Sequence, residues 1–205
     1  MRGRKPGKGH NIRILEGTDM AQTSATHTDV IDLLVEQHAQ IRHLFMRTLM
    51  SAGEERKQSF AQLVRLLAIH ETAEEEIVHP MARKSLPHGD ALIDDRLEEE
   101  RKAKELLSTL EKMDTDDPNF MSMLDRLRMA VLTHARAEER YEFPQLRNHL
   151  GQSQLRTLVT AVKAAEATAP THPHPGTESA AKNMLLGPIA ALTDRVRDAI
   201  RSSKS

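Results

Sequence analysis

The amino-acid sequence predicts an all-α protein, an antiparallel up-down-up-down four-helix bundle with additional C-terminal helices. Apolar residues recur at every third or fourth position through long stretches, as on one face of a helix. Short connections join these stretches, which favours antiparallel neighbours. Aromatic residues make up only 2% of the chain, and a core of Leu, Ile, Val, Ala and Met favours packed helices over a sheet.

Composition limits the classes of function. The 205 residues suffice for one domain with an appendage, and the net charge of −1 gives no global attraction to nucleic acid or to an anionic membrane. The sequence has no Cys, which excludes disulfides and thiolate metal sites. No apolar run is long enough to cross a bilayer, and the basic N-terminus lacks the apolar stretch of a secretory signal. These features predict a cytoplasmic protein with no nucleic-acid or membrane partner.

Sequence patterning divides the chain into three parts. Residues 1–27 are rich in Gly, Lys, Arg and Thr without a sustained period, which predicts a disordered tail; Met20 would serve equally well as a start. Residues 28–150 carry the four periodic stretches of the bundle. Residues 151–205 are predicted to form a helical extension with a Pro-rich loop, which packs on the bundle or covers a partner surface.

The bundle helices have recognisable boundaries. Thr28 or Asp29 can cap the first helix, and Pro118 suits the first position of the fourth, after Asp116 or Asp117 as N-cap. Prolines should disturb the second and fourth helices near their C-terminal ends. The predicted helices cover about 29–50, 55–84, 91–113 and 118–148, with the two prolines at Pro80 and Pro144, and a fifth helix covers about 151–167.

Ionisable residues fall on the stripes that should face the core. His70 and Glu74 stand four residues apart, as do His134 and Glu138, so each pair lies on one helical face in phase with apolar residues. Such groups are costly to bury unless they are paired or bind a metal. Each bundle helix contributes at least one such residue near its middle, and the predicted cluster comprises His38, His70, Glu74, Glu100, His134 and Glu138.

The donor set suits a pair of metal ions. Carboxylates can bridge two cations while imidazoles bind from outside, and imidazole with carboxylate suits iron or manganese. Zinc remains possible, although a single tetrahedral zinc would leave ligands unused. The alternative for the two pairs is a His–Glu hydrogen bond within each helix on a polar face. For Glu100 the alternative is a place in a solvated run of charges. A zinc-protease motif at His70 is rejected because position 74 is Glu rather than His.

Three motifs carry a resemblance to a known family. They are LLVEQHAQI at 33–41, HETAEE at 70–75, and HARAEE at 134–139 followed by Phe143-Pro144. Over about residues 29–150 they resemble the hemerythrin-like, HHE cation-binding domain. The resemblance implies a four-helix bundle with two iron ions in an oxo- or hydroxo-bridged centre. It also implies that His38, His70 and His134 are terminal ligands and that Glu74 and Glu138 are bridges.

The third helix departs from the family pattern. The family usually carries a His there, and oxygen carriers have two, one turn apart. By phase and flanking residues, Glu100 occupies the position of the first and Lys104 that of the second. An extra carboxylate should stabilise ferric iron and make O2 binding less reversible. We therefore expect peroxide or oxidative chemistry rather than oxygen transport.

The resemblance implies a non-haem di-iron protein that binds or reacts with O2, peroxide or NO. A catalase-like or oxidase activity is the preferred enzymatic form. The alternative is an iron- or redox-sensing module without turnover, which would signal through its C-terminal segment to an unidentified protein or redox partner. A third possibility is a bundle that has lost its metal and acts structurally.

Overall fold

The computed structural model describes residues 28–173, and all the regular structure within that range is helical. The all-α bundle is confirmed, whereas the predictions for residues 1–27 and for the chain beyond 173 lie outside the described residues. The helices are α1 (Val30–Met50), α2 (Gly53–Ala73), α3 (His79–Ser85), α4 (Gly89–Glu111), α5 (Phe120–Ala137), α6 (Phe143–His149) and α7 (Gln152–Thr168).

Local chemistry explains where the helices begin. Asp29 caps α1, because its Oδ1 accepts hydrogen bonds from the backbone N–H groups of Ile31 at 2.9 Å and Asp32 at 3.1 Å. The start of α5 differs from the prediction, because the helix begins at Phe120 rather than at Pro118. Asp117 accepts from the backbone N–H of Asn119 at 2.7 Å, so it closes the preceding turn instead of capping the helix.

Within residues 28–173, two π-helical turns interrupt the second and fourth long helical segments of the bundle, here called rods. The second rod comprises α2 and α3, and the fourth comprises α5 and α6. The first (Glu74–Val78) joins α2 to α3, and the second (Glu138–Glu142) joins α5 to α6. In the first turn the backbone N–H of His79 donates to the carbonyl of Glu74, five residues back. The disturbance that was predicted near the end of each helix therefore lies just before the Pro. A Pro ring clashes with the carbonyl four residues earlier, and the widened turn relieves that clash.

Each π turn also shifts the helical phase. One extra residue rotates the following side chains by about 100°, so the face that is turned to the core changes, although Ile77 in the first turn stays buried. Helical periodicity continued from His134 and Glu138 would place Tyr141 on the buried face, but Tyr141 is 57% exposed and its neighbour Glu142 is buried. In the matching segment of the second rod, Val78 and His79 are buried. The new face carries ionisable groups into the core.

The described helices enclose two apolar clusters. One, the α7-side core, joins the start of α1 to α3, α6 and α7. The other cluster, here called the apolar end, fills the opposite end of the bundle and comprises Ile41, Phe45, Phe60, Leu63, Val64, Leu67, Ala103, Leu107, Leu110, Phe120, Leu124, Leu127 and Val131.

Among residues 28–173 no helix has the length and apolar character to cross a membrane.

The turn between α3 and α4 requires a glycine. His88 has a φ of 57°, and the chain then enters α4 at Gly89. A Cβ on Gly89 would lie 2.6 Å from the carbonyl oxygen of Arg83, closer than real Cβ atoms approach a backbone atom. Only a glycine permits this close return, which brings α4 back along the bundle.

Candidate metal centre

The predicted site residues converge between the two apolar clusters. They come from α1, α2, the first π turn, α4, α5 and the second π turn, and all are buried. Within the described residues, donor atoms of His38, His70 and Glu74 lie within 4.8 Å of one another, as do those of Glu74, His134 and Glu138. The two groups share Glu74, which is the arrangement that adjacent metal ions joined by a carboxylate need.

The inward-facing atoms are suited to metal ligation. His70 Nε2 lies 3.3 Å from Glu74 Oε2, and His134 Nε2 lies 3.4 Å from Glu138 Oε1. On the α1 side, His38 Nε2 lies 3.3 Å from Glu138 Oε2. Within residues 28–173, His38 Nε2, His134 Nε2 and all four carboxylate oxygens of the two Glu residues are buried without a hydrogen-bond partner. Such a concentration of unpaired polar atoms needs an explanation, and bound cations provide one.

The outward-facing nitrogen of each imidazole has a defined partner. His70 Nδ1 donates to Gln37 Oε1 at 2.8 Å, and the Nδ1 atoms of the other two imidazoles donate to glutamates. Because Nδ1 carries the proton, a neutral ring turns the lone pair of Nε2 toward the cluster. Metal-binding histidines usually have such an outer partner. The glutamate contacts are His38 with Glu139 and His134 with Glu99, both at 2.9 Å.

The surroundings of Glu74 and Glu138 shift their pKa values in opposite directions. Burial raises the pKa of Glu74 well above its ordinary value, and the carboxylates of Glu138 and Glu100 add to the rise. Burial also opposes ionisation of Glu138, but the imidazoles of His134 and His38 outweigh it and lower its pKa well below the usual range. A cation between these carboxylates would offset their repulsion.

Glu100 reaches the cluster but has a close partner of its own. Its Oε1 accepts a hydrogen bond from His79 Nε2 at 2.6 Å and lies 3.7 Å from His134 Nε2. Burial alone would raise the pKa of Glu100, but the adjacent His79 lowers it. His79 is only 2% exposed, because the π turn rotates it inward. Lys104 forms ion pairs with Glu71 and Glu75.

Glu142 is a second group that sequence periodicity missed. Both of its carboxylate oxygens are buried and lack a hydrogen-bond partner in the described part of the chain. Burial and the charge of Glu138 raise the pKa of Glu142 to about 7, although His79 opposes the rise. The only sequence signal for Glu142 is its position two residues before Pro144, which marks the end of the distorted turn.

A small cavity adjoins the cluster on the side of the apolar end. Its volume of about 20 Å³ is space for roughly one water-sized molecule. Six of its lining residues are ionisable and six are apolar. A lining of both kinds suits a small, weakly polar ligand. The ionisable lining comprises His38, His70, Glu71, Glu99, Glu100 and His134. The apolar lining comprises Ile41, Leu67, Ala103, Val131, Leu132 and Ala135.

Comparisons with known proteins agree with this architecture. The profile of the hemerythrin HHE cation-binding domain matches residues 29–146, more than half of the chain. A crystal structure of a hemerythrin HHE cation-binding domain-containing protein from Mycobacterium kansasii aligns with a TM-score of 0.61 and 22% identity. The alignment covers 82% of this chain and 98% of that one, and at this identity it shows the shared fold alone.

Among curated proteins, one named DNA nickase, from Nostoc sp., is 28% identical over 140 residues. The match covers 68% of this chain and 39% of the relative. The chain therefore spans about two fifths of the length of that relative.

Proposed function

Since the chain belongs to the hemerythrin HHE cation-binding family, we propose that its His/Glu cluster binds two iron ions and that the protein reacts with, or senses, O2, peroxide or NO. The resemblance to this family is confirmed, and with it a metal-binding character. The observation that carries the proposal is the pair of donor groups that share Glu74, with their unpaired nitrogen and oxygen atoms turned inward.

The residues divide by the metal position that they face. We assign His38, His70 and Glu74 to one position and Glu74, His134 and Glu138 to the other, following the two donor groups. Glu138 also approaches the first group, since its Oε2 lies 3.3 Å from His38 Nε2. Imidazole and carboxylate donors together suit iron and manganese. Bound iron would supply the electrons or the coordination position that chemistry with O2, peroxide or NO requires.

The chain itself selects and shields the ligand. The cavity of about 20 Å³ has room for about one water-sized molecule, which favours a very small ligand. Its apolar walls limit water near the cluster, while the hydrogen bonds of Gln37 and Glu99 hold two of the imidazoles in orientation. A catalase-like or oxidase reaction is the enzymatic form of the proposal. A cytoplasmic location stays a prediction.

Metal content and peroxide turnover test the proposal together. The purified chain should bind iron and consume peroxide, and Glu74→Ala and His134→Ala should each abolish both. His43→Ala is the matched control, because His43 lies exposed on α1 away from the cluster. Absence of metal from the wild-type chain would contradict the proposal, while iron retained without turnover would favour a sensor.

One contact favours the sensing alternative. Gln37 accepts from His70 through its amide oxygen and donates through its amide nitrogen to Glu166 on α7. A change at His70 can therefore reach α7 through the hydrogen bonds of Gln37. If the protein is a sensor, metal binding should slow amide hydrogen exchange in α7, and Gln37→Leu should remove that effect. Unchanged exchange in α7 would contradict sensing by this route.

The sequence predicts no nucleic-acid partner, and the DNA nickase relative makes this prediction worth testing. Only part of that relative is matched, and the balanced charge of this chain gives no attraction to DNA. We therefore expect no nicking of supercoiled plasmid by the iron- or manganese-loaded chain. Nicking that disappears in Glu74→Ala would overturn this expectation and assign nuclease chemistry to the cluster.

A further inference from the structure

The residues around the cluster form an internal repeat. A group of three on α1 recurs 62 positions later on α4, and the ligand pairs of α2 and α5 are 64 positions apart. The repeat extends beyond the ligands to the residues that hold them. The α1 group is Gln37, His38 and Arg42, and the α4 group is Glu99, Glu100 and Lys104.

The contacts repeat as well as the positions. In each half, the first residue of the group accepts a hydrogen bond from the imidazole of the neighbouring helix, and the third pairs with a glutamate of the opposite π turn. The two halves therefore orient their imidazoles, and anchor the opposite π turn, through equivalent contacts. The repeated contacts are Gln37 with His70 and Glu99 with His134, then Arg42 with Glu139 and Lys104 with Glu75.

The repeat breaks at its centre. His38 stacks on Phe143, with ring centroids 5.8 Å apart and an angle of 14° between the rings. The corresponding pair in the other half is Glu100 and His79, which share a 2.6 Å hydrogen bond. A carboxylate thus stands where the first half has an imidazole, and an imidazole stands where it has a phenyl ring.

The hydrogen bond between His79 and Glu100 sets the orientation of the Glu100 carboxylate toward the cluster. His79 Nε2–H donates to Glu100 Oε1, and both side chains are buried. Glu100 Oε2 is buried and has no hydrogen-bond partner within residues 28–173. Only one of its oxygens is therefore engaged by His79, and the carboxylate cannot rotate freely away from His134. His79 acts as a positioning residue for Glu100.

We propose that the two metal positions are chemically unequal, and that the His79–Glu100 pair makes the position beside α4 and α5 rich in carboxylate. This inference rests on the proposed binding of two ions. The position beside α1 and α2 has the imidazoles of His38 and His70, whereas the other has His134 and Glu100. Imidazoles suit the later divalent transition metals, and carboxylates suit harder ions such as Mn²⁺. The two positions therefore load in sequence with a metal such as Co²⁺, the α1 side first.

Cobalt titration of the metal-free, full-length chain tests the order of loading. With a competing chelator and visible absorption as the signal, the wild type should bind two Co²⁺ in steps that differ at least tenfold in affinity. His79→Phe should weaken only the second step, by roughly ten- to a hundredfold, as loss of an outer partner does. His79→Gln retains an N–H donor and should restore much of that step.

A double variant restores the repeat and provides the sharpest comparison. Glu100→His with His79→Phe places an imidazole and a phenyl ring where the first half has His38 and Phe143. The affinities of the two binding steps should then become similar. Circular dichroism checks that each variant is folded. Two equal steps in the wild type, or weakening of both steps by His79→Phe, would overturn this inference alone. Saturation at one ion per chain would instead contradict the proposed two-ion function, and this inference with it.

Discussion

The core of the bundle is apolar at one end and ionisable in its middle. The middle is here called the His/Glu layer and comprises His38, His70, Glu74, Glu100, His134 and Glu138. At the apolar end the helices are regular and the contacts are between hydrocarbon groups; Phe60 meets Phe120 edge to face, with ring centroids 5.1 Å apart. In the His/Glu layer, buried carboxylates lie against one another, and the two π turns begin at Glu74 and at Glu138, which both belong to the cluster. The helix distortion occurs where the ionisable groups are.

This difference assigns stability and function to separate regions. Apolar packing supplies favourable free energy of folding, whereas buried carboxylates without partners oppose folding. π turns inside α-helices occur frequently at functional sites. The His/Glu layer therefore opposes folding while it brings candidate metal ligands together, and the packing of the apolar end offsets that cost.

The largest expected effect comes from the apolar end. Phe120→Ala should lower the free energy of unfolding by about 3–5 kcal/mol, because Phe120 is fully buried and its removal leaves a cavity. Denaturant titration measures this, and iron content of the folded protein should not change. Phe120→Leu, which keeps most of the volume, is the control with a smaller loss. Loss of metal with unchanged stability would break the division between the two regions.

The next effect has the opposite sign. Glu74→Leu should abolish metal binding yet raise the free energy of unfolding of the metal-free chain by about 1–3 kcal/mol, since it removes a buried carboxyl group whose oxygens have no hydrogen-bond partner within residues 28–173. Thermal and denaturant unfolding of both metal-free proteins measure the change. Glu98→Leu, at an exposed position of α4, is the control and should change little. A metal-free variant less stable than the metal-free wild type would contradict the prediction.

A smaller effect concerns the residues that orient the imidazoles. Gln37→Leu should lower metal affinity by roughly ten- to a hundredfold, because His70 loses the acceptor of its Nδ1 proton. Chelator competition measures the affinity. The control is Gln40→Leu, which changes an exposed amide on the same helix. Equal effects of the two variants would mean that the outer hydrogen bond does not support the site.

The smallest effect lies outside both regions, at the start of α1. Burial raises the pKa of Asp29, but hydrogen bonds from Arg147 and from backbone N–H groups outweigh it, so the pKa is lower than usual. A lowered pKa stabilises the fold above the unfolded-state value, near 4, and this stabilisation is lost as pH falls through the folded-state value. Asp29→Asn, which retains a capping side chain, should cost about 0.5–1 kcal/mol at pH 7.

The difference between wild type and Asp29→Asn should shrink below pH 4, as measured by urea unfolding across a pH series. A difference that grows in acid would have the wrong sign for this linkage. Metal binding at neutral pH should be the same in both proteins, because Asp29 lies outside the cluster.

Much of the fold follows from the sequence because apolar periodicity and capping are local signals. Asp29 begins α1 as predicted, and the in-phase spacing of His70 with Glu74 brings both into the core. The π turns are not readable in the same way, since they depend on how two rods fit around the cluster. Periodicity consequently fails just after Glu138, where it assigns Tyr141 to the core instead of Glu142.

The ligand candidates were easier to predict than the residues that hold them. His and Glu on an apolar stripe are conspicuous, whereas Gln37 and Glu99 resemble ordinary polar residues beside a stripe. A signal did exist, because both immediately precede a predicted site residue at the same spacing as the rest of the repeat. His79 carried no such signal, because its inward direction depends on the π turn.

We propose that the cluster holds two metal ions around Glu74. The most direct measurement is the number of irons per chain, determined by mass spectrometry of metals after loading with Fe²⁺ without O2 and removal of excess metal. We expect about two irons in the wild type and in His43→Ala, and essentially none in Glu74→Ala. Equal iron content in all three proteins, or none in the wild type, would contradict it.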